Sequence, residues 1–231
     1  MSRLEHKVVL ITGAKGGLGT FVTEAMLAAG ATVIGVSRSI RQTDFAHPSF
    51  DAHAAELASL DAAKELIAAV VAQHGRLDAV VHLVGGFDMG PLVEETSDSA
   101  FAKMFELNFY SALHLFRAAL PPMRTQGSGR ILAIGSKAAL EPGARTSAYN
   151  VSKAALLSLV RTIAEESKTA GITANIVLPG TMDTAANRAA MPTADVSQWV
   201  KPAQVAAMLV HLVSDEAAQI TGAAIPIYGG S

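Results

Sequence analysis

The sequence contains no cysteine among its 231 residues. This absence excludes disulfide frameworks, cysteine-ligated zinc sites and catalytic thiolates, and it suits a reducing compartment, so we expect a cytoplasmic protein. Charged residues are also few, at 16%, and nearly balanced, with 18 Lys and Arg against 20 Asp and Glu. Because the chain has no basic run, its charge pattern disfavours nucleic acid and anionic membrane surfaces as partners.

Long apolar runs are missing as well. No segment supplies the roughly 18 consecutive apolar residues that a membrane-spanning helix needs, and glycine and proline interrupt the longest uncharged stretch, 217–231. The seven histidines show no metal-ligand spacing, and no HExxH motif occurs. We therefore predict neither a membrane span nor a metal site.

Hydrophobic residues are plentiful, at 50% of the chain, which excludes intrinsic disorder and allows a large core. The length fits one large domain or two small ones. Because no linker and no internal repeat interrupts the chain, we expect residues 1–231 to form a single domain.

Short β-branched runs alternate with longer segments of helical periodicity, beginning with strand 8–12, helix 17–29 and strand 32–36. The alternation continues to the end of the chain and predicts a doubly wound α/β fold, in which helices cover both faces of a mostly parallel, Rossmann-like sheet. The other predicted helices are 61–74, 97–120, 148–170 and one that opens at Pro202. The other predicted strands are 79–84, 130–135, 173–178 and 225–228.

Three local features refine this pattern. Asp61 is a plausible N-cap for the second helix, and Pro121 with Pro122 should halt the third. The stretch 39–49 is too short for a full crossover helix, so we expect an abbreviated second crossover.

A glycine-rich segment, TGAKGGLG, occupies 12–19 between the first strand and the first helix. Glycines at this place let the backbone approach a pyrophosphate that rests on the helix N-terminus. The alternative is a tight turn that needs glycine for a positive φ, but the position in the first βα turn favours a dinucleotide site. The predicted cofactor contacts in this loop come from Gly13, Lys15, Gly17, Leu18 and Gly19.

The end of the second strand bears on cofactor choice. An NAD site usually has a carboxylate there for the ribose 2′-hydroxyl, yet the chain has none between Glu24 and Asp44. Ser37 and Arg38 end the strand instead, with Lys15 and Arg41 within reach. Because a guanidinium suits a 2′-phosphate, we predict that NADP(H) is preferred and leave NAD(H) as a second cofactor. The alternative is an ordinary solvated arginine.

Tyr149 and Lys153 are four residues apart on a predicted helix, so both side chains share one face. A phenol is a poor acid or base at neutral pH until a neighbouring ammonium stabilises its phenolate. Ser136, thirteen positions before Tyr149, ends a predicted strand at the edge where such sheets bind ligands. Asn108 lies within an apolar helix, where an amide needs a specific partner. The alternatives are a solvated helix face for the first pair and a structural amide for Asn108.

Together these features resemble the short-chain dehydrogenase/reductase family over essentially the whole chain. The turn Leu178-Pro179-Gly180 with Thr184, and the terminal run from Ile220-Thr221-Gly222 to Gly229-Gly230, add to the resemblance. It implies hydride transfer between a nicotinamide and a small carbonyl or alcohol substrate, in a homodimer or homotetramer.

The resemblance also implies a role for each matching residue. Tyr149 would be the general acid/base, Lys153 its pKa modifier and a ribose ligand, Ser136 the hydrogen-bond donor to the carbonyl, and Asn108 the support of a proton relay. It further implies backbone contact to the cofactor at Gly85, and a nicotinamide bordered by Pro179, Gly180 and Thr184. One departure stands out: His82-Leu83-Val84-Gly85-Gly86 replaces the family's Asn-Asn-Ala-Gly, which removes the usual amide side chains.

The second half also resembles dihydropteridine reductases, notably in the segments 136–140 and 178–199. Three features differ from that branch, namely Ser37-Arg38, Ser136 and Gly180, so reduction of a quinonoid dihydropterin is the alternative reading. A non-catalytic NADP-sensing regulator is the alternative from another class. The segment 182–199 carries no readable specificity code, and we expect it to be a mobile substrate lid.

Overall fold

The computed structural model describes residues 3–230, which form one seven-stranded, fully parallel sheet in the order β3-β2-β1-β4-β5-β6-β7. The strands are β1 (Val8–Thr12), β2 (Thr32–Ser37), β3 (Phe50–Ala54), β4 (Ala79–His82), β5 (Gly129–Ile134), β6 (Ile172–Pro179) and β7 (Ala224–Ile227). The helices are α1 (Gly19–Ala28), α2 (Leu60–His74), α3 (Asp98–Phe105), α4 (Ser111–Gln126), α5 (Ser147–Glu166), α6 (Ala185–Ala190) and α7 (Pro202–Val213). The predicted doubly wound α/β fold is therefore confirmed.

Two hydrophobic cores lie on opposite faces of the sheet because side chains alternate along each strand. Leu10 of β1 packs into the core that α2, α4 and α5 cover. Its neighbour Ile11 packs into the core beneath α1 and α7. Both faces of the central strands are thus buried, which explains why these strands read as continuous apolar runs.

The second helix begins one residue earlier than predicted, at Leu60, and Asp61 is not its cap. Ser59 has the extended conformation of an N-cap, and its Oγ accepts a hydrogen bond from the Ala62 amide at 3.2 Å. Asp61 lies in the first turn, where a carboxylate favours the positive end of the helix dipole.

The expectation that Pro121 and Pro122 end a helix is wrong, because both lie inside α4. The fully buried Met123 follows them and anchors another turn in the core. Packing therefore outweighs the loss of two backbone donors, and the helix ends only at Gly127, whose φ is +71°. The long predicted helix is also divided: a wide π-helical turn, Glu106–Tyr110, separates α3 from α4.

The abbreviated second crossover is confirmed. A single helical turn, Gln42–Asp44, connects β2 to the neighbouring parallel strand β3. Strand β3 itself was not predicted, because its sequence FDAHA mixes polar and small residues. It is an edge strand, so pairing with β2 alone stabilises it.

Candidate active site

The glycine loop 13–18 connects β1 to α1 at the carboxyl edge of the sheet. Gly13 has a φ of +69°, which only glycine adopts without strain. A Cβ at Gly19 would lie 1.9 Å from the Gly13 carbonyl oxygen, and one at Gly17 would lie 3.3 Å from the Thr184 side chain. The loop therefore folds tightly on itself beside the start of α6, and residues 15–17 are exposed just before the N-terminus of α1, where an anion is favoured.

Basic residues border the same loop near the end of β2. Lys15 Nζ donates to Asp44 Oδ2 at 2.8 Å and to the Ser39 carbonyl at 3.1 Å. The Arg41 amide donates to the same carboxylate at 2.9 Å, and the hydrogen bond from Lys15, followed by this one, lowers the pKa of Asp44. Arg38 points into solvent with 81% of its side chain exposed, 4.0 Å from Glu56.

Ser37 presents an unsatisfied polar atom at this place. Its Oγ is buried and has no hydrogen-bond partner within residues 3–230. A buried hydroxyl without a partner costs free energy, and a polar group of a ligand at this place would supply one. The glycine loop, the start of α1 and this orphaned hydroxyl together fit a dinucleotide.

Ser136 and Tyr149 meet at the carboxyl end of β5. Ser136 follows this strand, and its Oγ accepts a hydrogen bond from the Ala138 amide at 3.1 Å. Burial raises the pKa of Tyr149 above its ordinary value. The side chain of Ser136 lowers this pKa and opposes the shift only in part, which places Ser136 next to the phenol.

Lys153 lies one turn after Tyr149 on α5, and its side chain is almost fully buried. Its Nζ donates to the Ile134 carbonyl at 3.0 Å, and burial lowers the pKa of this ammonium to about 8. Lys153 is not among the causes of the Tyr149 shift. In the described structure the ammonium is directed at a backbone carbonyl, and the role of Lys153 as pKa modifier of Tyr149 stays a prediction.

Asn108 lies in the π-helical turn and is completely buried. Its Oδ1 accepts from the Gly86 amide at 2.8 Å, while its Nδ2 donates to Ser152 Oγ at 3.0 Å. Ser152 in turn donates to the Tyr149 carbonyl at 2.8 Å. The specific partner that an amide requires in an apolar helix is thus present, and it ties Asn108 to α5.

Gly85 shows how closely these elements converge. A Cβ at this position would lie 2.9 Å from Asn108 Oδ1 and 3.1 Å from Lys153 Nζ. The structure therefore brings Gly85, Asn108 and Lys153 together. Sequence reasoning missed Ser152, although its place between Tyr149 and Lys153 offered a weak signal.

His82 at the end of β4 was also missed. The sequence indicated that the departure from Asn-Asn-Ala-Gly removes the usual amide side chains and leaves backbone contacts to the cofactor possible. In the structure the imidazole of His82 points inward and is buried. Nδ1 lies 2.9 Å from Thr12 Oγ1, and Nε2 lies 3.2 Å from Ser111 Oγ. A polar side chain therefore does replace the missing amide.

Phe87 covers one side of Tyr149. The two ring centroids are 5.0 Å apart in an edge-to-face arrangement, yet 63% of Phe87 is exposed. Met89, two residues on, is 62% exposed. Neither side chain belongs to the core, so the surface beside the Tyr149 ring is apolar and accessible.

The loop after β6 reaches the same edge of the sheet. Pro179 is the last residue of β6, and the Gly180 amide donates to the Ile227 carbonyl at 2.9 Å. Thr184 caps α6, where its Oγ1 accepts from the Asn187 amide at 3.3 Å. A bridge between Met182 and Val200 closes the base of segment 182–199, and its end holds the half-buried Trp199.

Two features are absent from residues 3–230. None of the helices there is long and apolar enough to span a membrane. Within that range, no group of three or more His, Cys, Asp or Glu side chains is placed to hold a metal ion.

The sequence and the fold were also compared with those of known proteins. Short chain dehydrogenase prhI of Penicillium brasilianum is 30% identical over 98% of this chain and 97% of its own length. The 7alpha-hydroxysteroid dehydrogenase of Bacteroides fragilis is 28% identical over 100% of this chain and 96% of its own. The structure of ElxO with NADP bound is 25% identical, with a TM-score of 0.91 over 97% of this chain and 98% of that one.

The family model for short chain dehydrogenases matches residues 7–195, which include the glycine loop, Asn108, Ser136, Tyr149 and Lys153. The relatives extend this agreement over nearly the full length of the chain. The protein with this arrangement of residues is an enzyme and belongs to the short-chain dehydrogenase/reductase family of oxidoreductases.

Proposed function

We propose that this enzyme is an NADPH-preferring oxidoreductase that interconverts a small carbonyl compound and its alcohol. The observation that carries the proposal is the convergence of the Ser136 and Tyr149 side chains, one helical turn from the buried Lys153. When bound, the nicotinamide cofactor supplies the hydride for reduction and accepts it in the reverse direction.

The residues that would hold this cofactor form a continuous surface. Backbone amides of the glycine loop, with Leu18 at the start of α1, suit the pyrophosphate. Lys15, Ser37 and Arg38 suit the phosphorylated ribose. Lys153 suits the other ribose, beside Gly85. Pro179, Gly180 and Thr184 suit the nicotinamide end, and the bound NADP of ElxO supports the choice of cofactor.

The chain's own groups handle the substrate oxygen and its proton. Ser136 donates a hydrogen bond to the substrate carbonyl and orients it beside Tyr149. Because its pKa is raised, Tyr149 is protonated at neutral pH and gives its proton to the oxygen as the alcohol forms. Asn108 is bonded to Ser152 on α5, the helix that carries Tyr149, and supports the return of a proton to Tyr149. The exposed Phe87 and Met89 favour a substrate with an apolar body.

Replacement of Tyr149 by Phe tests this assignment. We expect a loss of about 100-fold or more in kcat, because the variant lacks the transferable proton. NADPH affinity should stay within a factor of about two. Tyr110→Phe is the matched control, since Tyr110 is exposed on another helix segment. NADPH oxidation is followed with a panel of aliphatic, aromatic and polycyclic ketones, and more than a tenth of wild-type kcat in Tyr149→Phe contradicts the proposal.

The same assay distinguishes the alternatives. Turnover confined to a quinonoid dihydropterin identifies a pteridine reductase, the alternative suggested by segments 136–140 and 178–199. NADPH binding without turnover of any compound identifies a nucleotide-sensing regulator. The complete set of Asn108, Ser136, Tyr149 and Lys153 weighs against the second alternative.

We also propose that residues 1–231 act as one catalytic domain in a cytoplasmic homodimer or homotetramer. All seven strands share one sheet, which supports a single domain. Val151 is 48% exposed on α5, one of the helices that would form the subunit contact, which supports self-association.

A further inference from the structure

His82 joins two parts of the candidate active site that are distant in sequence. Thr12, at one end of its ring, is the last residue before the glycine loop. Ser111, at the other end, begins α4 directly after the π-helical turn that holds Asn108. The imidazole contacts both hydroxyls, and all three side chains are buried.

The surrounding donors fix the direction of each hydrogen bond. The Leu83 amide donates to Thr12 Oγ1 at 3.2 Å, so the Thr12 hydroxyl can donate to His82 Nδ1. The Ser111 hydroxyl donates to the Leu107 carbonyl at 2.8 Å, so its oxygen can accept from His82 Nε2. This pattern requires the neutral imidazole with its proton on Nε2.

The electrostatic surroundings keep the ring neutral. Burial lowers the pKa of His82 to about 3, and the positive charge of Lys153 contributes to the same shift. Phe116 packs against the ring at 5.9 Å between centroids and keeps this side apolar. A neutral ring satisfies the Thr12 hydroxyl, whereas a protonated one would present a second donor to it.

We propose that His82 is a positioning residue that ties the glycine loop to the π-helical turn and thereby holds Asn108 in place. The bonded path runs from Thr12 through His82 and Ser111 to the Leu107 carbonyl, one residue before Asn108. Asn108 in turn holds Gly86 and Ser152. The inference rests on the proposed function for its effect on turnover, but the bonding pattern is testable without turnover.

Kinetics of four variants test the effect on the reaction. His82→Leu removes both bonds, and Ser111→Ala removes only the bond toward Asn108. We expect both to lower kcat roughly tenfold or more at saturating NADPH, because small displacements of a positioned group are costly. NADPH affinity should change less than about twofold in Ser111→Ala.

His82→Gln, which can still donate from its amide, should regain part of kcat relative to His82→Leu. Thr169→Ala, at an exposed position in the turn after α5, is the control.

A purely structural role predicts a different result. In that case the variants lower the melting temperature, while kcat per folded molecule stays at the wild-type value and His82→Gln behaves like His82→Leu. That outcome overturns the proposal.

Nuclear magnetic resonance supplies the readout that does not depend on activity. Long-range ¹H–¹⁵N spectra distinguish the two neutral tautomers and the imidazolium, and the signal missing from His82→Gln identifies His82. We expect the neutral Nε2–H form throughout pH 5–8. A signal that titrates near the ordinary histidine pKa, or that shows Nδ1–H, overturns the inference. Wild-type protein without turnover of any compound contradicts the proposed function alone, and the spectra still decide the bonding of His82.

Discussion

At the scale of single residues, the site concentrates groups whose burial disfavours their charged forms. Lys153 is the clearest case, since its ammonium is buried with one backbone carbonyl as its hydrogen-bond partner in the described structure. Tyr149 beside it keeps its proton for the same reason. Residues selected for chemistry therefore weaken the fold that holds them.

Lys153→Met should accordingly make the cofactor-free protein more resistant to unfolding near neutral pH. The pKa of Lys153 is about 8 in the folded chain and near 10.5 when exposed, so folding favours its neutral form. The resulting destabilisation, about 3 kcal/mol, is complete below pH 8 and disappears as pH rises toward 10.5.

Thermal unfolding of wild type and variant from pH 7 to 10 measures this effect. Because the substitution also removes a donor from the Ile134 carbonyl, the change in the stability difference with pH is the test. Lys168→Met, at an exposed position, is the control. A difference in stability that is constant across this range contradicts the prediction.

Arg38→Asp should shift cofactor preference toward NADH. Arg38 is exposed at the end of β2, and a carboxylate there repels a 2′-phosphate while it can accept from a 2′-hydroxyl. We expect NADPH affinity to fall about tenfold or more, measured by fluorescence titration of both cofactors. Lys64→Asp makes the same change in net charge on α2 and should leave both affinities unchanged. Equal loss of both cofactors in Arg38→Asp counts against a role in discrimination.

At the scale of elements, local patterns were sufficient wherever local chemistry decides the structure. The sheet strands except β3 and the helix that opens at Pro202 were predicted within a few residues, because buried parallel strands and N-terminal prolines leave strong signals. Pro121, the π-helical turn and β3 depend on packing or pairing with distant segments, which periodicity does not encode.

The candidate site divides in the same way. Spacing and position drew attention to Asn108, Ser136, Tyr149 and Lys153, and the family resemblance supplied the predicted role of each. Ser152 and His82 gained their significance only from partners 44 and 70 residues away. Side chains that connect segments are therefore harder to predict than the groups that they position.

The segment 182–199 should behave as a lid. Its short helix α6 contains no buried residue, and the bridge between Met182 and Val200 fixes its base. Hydrogen exchange should be rapid there in the cofactor-free protein and slower with NADPH and a substrate analogue bound. Strand β5 is the internal reference, since its amides should stay protected in both states. Equal protection of 182–199 in the two states would make it fixed structure.

At the scale of the whole molecule, the two cores share the same strands. Leu10 and Ile11 are adjacent in β1 but belong to opposite cores, so neither core can be lost while the other keeps its sheet face. We expect one cooperative thermal transition, with far- and near-ultraviolet circular dichroism changing together. NADPH should raise the midpoint temperature of this single transition without splitting it, because NADPH binds only the folded chain. Two separate transitions would contradict a single domain.

Trp199 is the single tryptophan of the chain, and it lies at the end of the segment 182–199, next to the bridge between Met182 and Val200. All indole emission therefore originates at the hinge of the proposed lid. Excitation of this indole can transfer energy to a reduced nicotinamide, whose absorption overlaps indole emission. The native protein thus carries an optical reporter at its hinge, and stopped-flow fluorescence can separate the rate of cofactor arrival from that of closure without any introduced dye.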